Sequence, residues 1–561
     1  MRAVAHLRAM LKPSERREQL LGRIGLGICL MATLLGVWLH AVYLTHAGAL
    51  WRDETGGVQL AISTDPSVQW RLVSEYFPAF FFSLVRVWSA FGLGANDFTL
   101  RILGFLVGLG LLGGIWLNAR LMGCRLPFIS LGLLAVNLTL VRWGDSLRAY
   151  GCGALFILLT LGLIWRLVRA PGRSSFLFAS LAAVLSVQTL YHNAVLVLAA
   201  CVAGCAVCAL HRQWKTAALV LGVGLLAAVS LIPYVAPLVQ AQDYMALHKM
   251  GFELEWVWAM LALALGSGLT WPLLGWFGLA PLVLGAGWSA LLERTKGSPV
   301  GFQDLPVFAV SALVAGIALF FAFLRLSEFP TQPWYFLPLM VFAATAMDAA
   351  LANWCRQFRA WPPVFVAVMV CVPFPTILNF AKYRQTNIDL IASELCRRAK
   401  PGDFIVVSPC YCGITFARYY KGQAAWTTLP PIDDHRFHRT DLMKERLCSK
   451  PLLKSVLDQA ARALSSGHTL WIVGALSLPE PGKIEPPDLP PPPLPGQPFG
   501  YAEGCLRGYI WERQMAHLID WHAEHVEAVL NPQPSIFQYE ELPLIMASGW
   551  RAEPGTTPTS Q

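Results

Sequence analysis

The sequence predicts a polytopic α-helical membrane protein with a small soluble α/β domain at its carboxyl end. Three observations lead there. Hydrophobic residues make up 55% of the 561 and charged residues 14%, with a mean hydropathy of +0.51, a balance that suits lipid better than water. The apolar residues gather into about eleven runs of membrane-crossing length. From about residue 383 the composition becomes that of an ordinary soluble domain.

The first run, Ile24 to Thr45, follows a basic amino terminus and is longer than a signal-peptide core. It reads as an uncleaved span with its basic end in the cytoplasm. Residues 100–117 form the next span, and further spans are expected at 127–141, 150–166, 175–191, 193–210, 217–237, 272–292, 306–324, 335–352 and 361–380. On this count the basic turns at Arg166/Arg169/Arg173, Arg212/Lys215, Arg294/Lys296 and Arg356/Arg359 share the side of the amino terminus, as the positive-inside rule requires. The net charge of +9 therefore reads as membrane topology, and no nucleic-acid partner is expected.

The same alternation puts residues 46–99, 142–149, 238–271 and 325–334 on the far side, with the carboxyl-terminal part. Trp256 to Leu269 is apolar but short, which suits a re-entrant or surface helix. Glu75 to Trp88 is aromatic, broken by Pro78 and charged at Arg86, which suits the lipid interface. The division expected is residues 1–382 as the membrane domain, with 46–99 as its first far-side loop, and 383–561 as the α/β domain. Within the latter, 387–400 has helical periodicity, Phe404 to Val407 is a buried-type strand, 479–498 is Pro-rich and extended, and Gly508 to Leu530 is more helical. One or two disulfides are plausible among Cys396, Cys410, Cys412, Cys448 and Cys505, without a deducible connectivity. Cys410-Tyr411-Cys412 lacks a matching ligand pair for a metal site, so no metal ligands are assigned and dependence on a divalent metal is left open.

The loop after the first span carries Trp51-Arg52-Asp53-Glu54-Thr55-Gly56-Gly57. Two adjacent carboxylates at a membrane exit belong in water or in a polar cavity, so the pair is either a site or a solvated loop. Other motifs weigh on that choice. Trp51 to Glu54, Glu75 to Trp88, Phe98 to Gly104 leading a span, and Arg148-Ala149-Tyr150 after another occur in an order that resembles bacterial membrane glycosyltransferases of the GT-C superfamily, those similar to protein O-mannosyltransferases and to the lipid A aminoarabinose transferase. This chain departs from the common pattern at Phe77-Pro78, where many relatives have a Pro pair, at Ser146, and at Trp334-Tyr335.

The resemblance implies an inverting enzyme, of hexosyl- or pentosyltransferase type, in the bacterial inner membrane. Its donor would be a polyprenyl-phosphate sugar and its acceptor an envelope lipid, glycan or protein, with the catalytic loop and terminal domain on the periplasmic side. Such chemistry needs a base beside the acceptor hydroxyl and cations beside the departing phosphate. Asp53 is the candidate base, with Glu54 tuning it or binding the acceptor. Arg148 with Tyr150, Arg325 and Lys249, or its neighbour His248, are candidates for the phosphate, each with the alternative of snorkelling at lipid head groups. Asp145, His192 and Tyr335 are candidates to line the cavity. The competing reading of the residues is a transporter or flippase without covalent chemistry, although no internal repeat between the halves supports it.

Overall fold

The structure, a computed structural model, describes residues 15–65, 70, 76–293, 300–448, 452–474, 476, 488, 500–533 and 535–552. The Arg294/Lys296 turn, Glu75 and, apart from Asp488, the Pro-rich stretch 479–498 lie outside the described residues.

Helix forms in every one of the apolar runs. Among the described residues seven helices are long and apolar enough to cross a membrane: Glu18–His46, Asp97–Met122, Ala149–Arg169, Asn193–Leu210, Trp214–His248, Trp271–Leu292 and Phe302–Ser327. The pair Trp361–Cys371 and Phe374–Ala381 is apolar and long enough only when taken together, and it is bent by 41° at its break. The remaining runs are shorter, each for a local reason. Residues 127–141 split at Asn137, whose side chain accepts the Leu140 N–H and so starts a second helix, Leu138–Gly144. Residues 335–352 become a short 3₁₀ turn and then Leu337–Ala350, a helix buried on all sides among its neighbours. Residues 175–191 form Arg173–Val187, which stops at Gln188.

Leu254–Gly266, where a re-entrant or surface helix is expected, has 13 residues. At 1.5 Å rise it reaches roughly 20 Å, well short of the bilayer core of about 30 Å. Its carboxyl end is held inside the bundle, where Asn137 Nδ2 donates to the carbonyls of Ala264 and Leu265 at 3.0 and 3.1 Å.

The Arg356/Arg359 turn meets the first span and the end of Asp97–Met122 at one end of the bundle. Arg356 donates to the Gly123 carbonyl at 2.7 Å, and Arg359 pairs with Glu18 at 3.2 Å. At the other end, glycines let the backbone close up around residues 144–151. A Cβ on Gly104 would fall 1.8 Å from the Asp145 carbonyl oxygen, and one on Gly151 2.0 Å from that of Gly144.

The carboxyl-terminal domain is a five-stranded sheet in the order β2-β1-β3-β5-β4, formed by Phe404–Val407 (β1), Ala425–Thr428 (β2), Leu470–Val473 (β3), His525–Leu530 (β4) and Leu544–Ser548 (β5). β1 pairs in parallel with β2 and β3, while β5 pairs antiparallel with β3 and β4. β1 and β3 are wholly buried, which explains their continuous apolar sequence. The helix expected over 508–530 instead runs Tyr501–His522, and its last part is the edge strand β4. Cys396, Cys410, Cys412 and Cys505 are all free thiols, so the expected disulfides are absent among these four. Cys410 and Cys412 are buried while Cys396 and Cys505 are exposed, and burial serves the first two as small apolar side chains.

This domain sits directly on the segment after the first span. The Leu50 N–H donates to Tyr419 Oη at 2.7 Å, and Arg418 and Tyr419 both reach the Asp97 carboxylate at 2.6 Å. Residues 46–62 and the terminal domain therefore lie on the same side of the bundle.

Candidate active site

The Trp51–Gly57 stretch, expected as a loop, is the start of a helix, Arg52–Ile62. Trp51 at its N-cap has no capping oxygen, and the cap comes from the terminal domain: Glu540 Oε1 accepts the Arg52 N–H at 3.2 Å and the Thr415 hydroxyl at 2.9 Å. Asp53 and Glu54 fall in the first turn, where the helix dipole favours negative charge. Gly56 and Gly57 are inside the helix, where a Cβ would make only ordinary contacts. A Cβ on Gly56 would stand 3.4 Å from the His438 ring, and one on Gly57 3.7 Å from the Leu147 carbonyl.

Asp53 is the centre of a cationic cluster. Its Oδ2 lies 2.9 Å from Arg148 Nη1, while Oδ1 faces His438 Nε2 at 3.2 Å and Arg52 Nε at 3.5 Å. Burial pushes the Asp53 carboxyl up, but Arg148, the His438 contact and Arg52 outweigh it and hold the group well below the usual carboxylate range. Arg148 occupies the N-cap position of Ala149–Arg169, and its guanidinium is walled by rings. Tyr150 is 5.0 Å from the guanidinium carbon, Trp334 5.5 Å, and Trp51 and Phe77 each 5.7 Å. Behind them Tyr150 stacks on Tyr335 and on His192, whose ring also meets Phe320 and Phe323.

The structure thus brings together Asp53, Arg148, Tyr150, Tyr335 and His192. Four other candidates are placed elsewhere. Glu54 is fully buried and points away from the cluster, taking two bonds from Arg101 at 3.2 and 3.0 Å and the Leu147 N–H at 3.0 Å. That leaves no room for an acceptor, and its role is to fix the turn that carries Arg148. Asp145 is buried against His40 at 2.7 Å and lines no cavity with Arg148. Arg325 is 64% exposed and pairs with Glu328 at 3.8 Å. Lys249 is exposed on the turn after His248, and it is His248 that faces the cluster, bonding Thr440 Oγ1 at 3.2 Å beside His438.

His438, Trp51, Trp334 and Arg52 are members of the cluster without an assigned role in the sequence reading. Arg52 donates to the Tyr539 carbonyl at 2.7 Å and stacks over Trp51 and Tyr411. For Trp51 and Arg52 the signal was adjacency to Asp53, and for Trp334 adjacency to Tyr335. His438 carries no local signal, because it lies in a polar run of the terminal domain. Among the described residues no group of three or more His, Cys, Asp and Glu is placed to hold a metal ion.

A half-buried carboxylate held ionised, a guanidinium fixed by rings beside it, and an aromatic wall at the end of a membrane bundle can accept a proton, neutralise an anion and stack against a sugar.

No protein-family model and no curated protein sequence matches the chain. Among solved structures it is similar to ArnT from Cupriavidus metallidurans bound to undecaprenyl phosphate, at 12% identity and a TM-score of 0.48 over 80% of this chain and 93% of that one. The apo state of the same protein matches at 13% and 0.49 over the same shares. The Archaeoglobus fulgidus oligosaccharyltransferase in complex with Zn and sulfate matches at 13% and 0.41, over 71% of this chain and 62% of that one. These solved structures are glycosyltransferases of the GT-C fold.

Proposed function

We propose that this chain is an inverting membrane glycosyltransferase that moves a sugar from a polyprenyl-phosphate donor to an envelope acceptor on the periplasmic face. The observation that carries the reading is the contact of Asp53 with Arg148 inside an aromatic wall at the bundle's end. It supplies the two charges that glycosyl transfer from a phosphate requires, a base for the acceptor hydroxyl and a cation for the leaving group. Arg148 suits a phosphate because its planar fork can bond two oxygens at once. The rings of Trp51, Phe77, Tyr150 and Trp334 exclude water and hold that fork in one plane. The order of motifs that resembles the GT-C glycosyltransferases converges on the same point: Arg101 from the third motif clamps Glu54 from the first, and Glu54 holds the turn of the fourth.

In the reaction, Asp53 takes the acceptor proton as the acceptor oxygen bonds the anomeric carbon. The carbon–phosphate oxygen bond breaks with inversion, and the electron pair leaves on the phosphate beside Arg148. The test is transfer of radiolabelled sugar from a polyprenyl-phosphate donor by the purified protein. Asp53→Asn keeps shape and removes the basic oxygen, so turnover falls by about a hundredfold or more with the melting temperature preserved. Wild-type transfer by a folded Asp53→Asn protein would remove Asp53 from the chemistry.

A further inference from the structure

The distance between Asp53 and Arg148 poses a problem for the reaction, and its solution rests on the function proposed above. In an inverting displacement the incoming and departing oxygens stand on opposite faces of one carbon, and carboxyl groups serving the two faces of a sugar in inverting glycosidases lie about 6.5–9.5 Å apart. Here the group for the acceptor side and the group for the phosphate side are in contact at 2.9 Å. With Arg148 on Oδ2 the base is covered, and with Asp53 on Nη1 the phosphate cation is already paired. The two oxygens of Asp53 nevertheless have separate partners. Arg148 is on Oδ2, whereas His438 and Arg52 are on Oδ1.

We propose that the donor phosphate and Asp53 compete for Arg148, so that donor binding draws Arg148 off Oδ2 and uncovers that oxygen as the base, while His438 of the terminal domain keeps Oδ1 in place as a positioning residue. The base is thereby freed when a donor is present and held shut when it is absent, which limits idle proton transfer. His438 is itself fixed. The Tyr76 hydroxyl donates to its carbonyl at 2.7 Å, and its ring lies beside Gly56. The terminal domain thus supplies a side chain to the site, in addition to the Glu540 cap under Asp53's helix. Among the described residues the charged and titratable groups around Asp53 are Arg148, His438 and Arg52 in contact, His248 and Glu540 behind them, and the Tyr150, Tyr335 and Cys412 side chains within electrostatic reach.

Binding of plain polyprenyl phosphate to the purified full chain in nanodiscs tests the competition without turnover. Asp53→Asn no longer holds Arg148, so it binds the lipid phosphate at least about fivefold more tightly than wild type, a modest coupling of two sites through one residue. Arg148→Ala weakens binding in both backgrounds. Equal or weaker binding by Asp53→Asn, with wild type binding, overturns the competition and leaves the glycosyltransferase reading standing. Failure of wild type to bind the lipid phosphate overturns both. His438 is read from the pH profile of kcat in the transfer assay. A contact that favours ionised Asp53 is lost in His438→Asn, so the acid limb moves to higher pH by about one unit. An unmoved limb in a folded His438→Asn protein overturns the positioning role.

Discussion

Asp53 and Glu54 are adjacent, chemically alike and in the same helical turn, yet they belong to two different regions of the molecule. Successive helical residues point about 100° apart. That rotation turns Asp53 toward Arg148, His438 and the aromatic wall, and turns Glu54 into the packed interior, where Arg101 and the Leu147 N–H use up its oxygens. One carboxylate is held ionised among cations, and the other is sealed in an ion pair with 0% exposure. Adjacency in sequence did not make them a catalytic pair. It placed a carboxylate that faces Arg148 and His438 one residue from a carboxylate sealed against Arg101.

The comparison breaks most visibly at Glu54. Glu54→Ala leaves the Arg101 guanidinium buried without its partner, a loss of about 3–5 kcal/mol, so the protein melts far lower or fails to accumulate. Replacing both partners with apolar residues, Glu54→Leu with Arg101→Met, recovers most of that stability in a thermal melt. A Glu54→Ala protein that melts like wild type and loses turnover alone would make the two carboxylates equivalent. The reverse pattern is expected at Asp53, where turnover falls and stability stays.

Arg148 sharpens the same contrast at a smaller scale. Arg148→Lys keeps the charge beside Asp53 but loses the planar group that Tyr150, Trp334, Trp51 and Phe77 enclose, so transfer falls by about tenfold, while Arg148→Ala falls further. Equal turnover of the Lys variant and wild type would mean that charge alone suffices.

The smallest effect belongs to Glu540, which caps the helix of both carboxylates. Burial raises its carboxyl from 4.5 to about 7 against the opposing pull of Arg52. A carboxyl raised on folding contributes stability that is full below its unfolded value and is lost as pH rises through the folded one. The melting temperature of wild type should therefore decline between about pH 4.5 and 7 more steeply than that of Glu540→Gln, which keeps an acceptor oxygen for the Arg52 N–H. Parallel curves would show that Glu540 is not the group responsible.

Much of the fold was legible because lipid imposes a strong rule on sequence. Apolar runs between basic turns gave the helices, and the continuous apolar run of β1 gave a buried strand. What was less legible came from single polar residues inside those runs. Asn137 divides one run by capping a new helix, which composition alone does not reveal. Of the candidates read from the motifs, Asp53, Arg148 and Tyr150 come together in space, whereas Glu54 and Asp145 are held apart by Arg101 and His40, partners that a sequence does not display.

By itself the sequence determined that the apolar runs are helical, that a soluble α/β domain follows the membrane helices, and that the charges after the first span are unusual. Each of these follows from local composition and from the cost of placing polar groups in hydrocarbon. The tertiary structure alone decided which carboxylate faces Arg148, that Glu540 caps the helix carrying it, and that His438 reaches Asp53. Those contacts join residues hundreds of positions apart, and they depend on angstrom-scale packing of one domain against another, which no local pattern in the chain encodes.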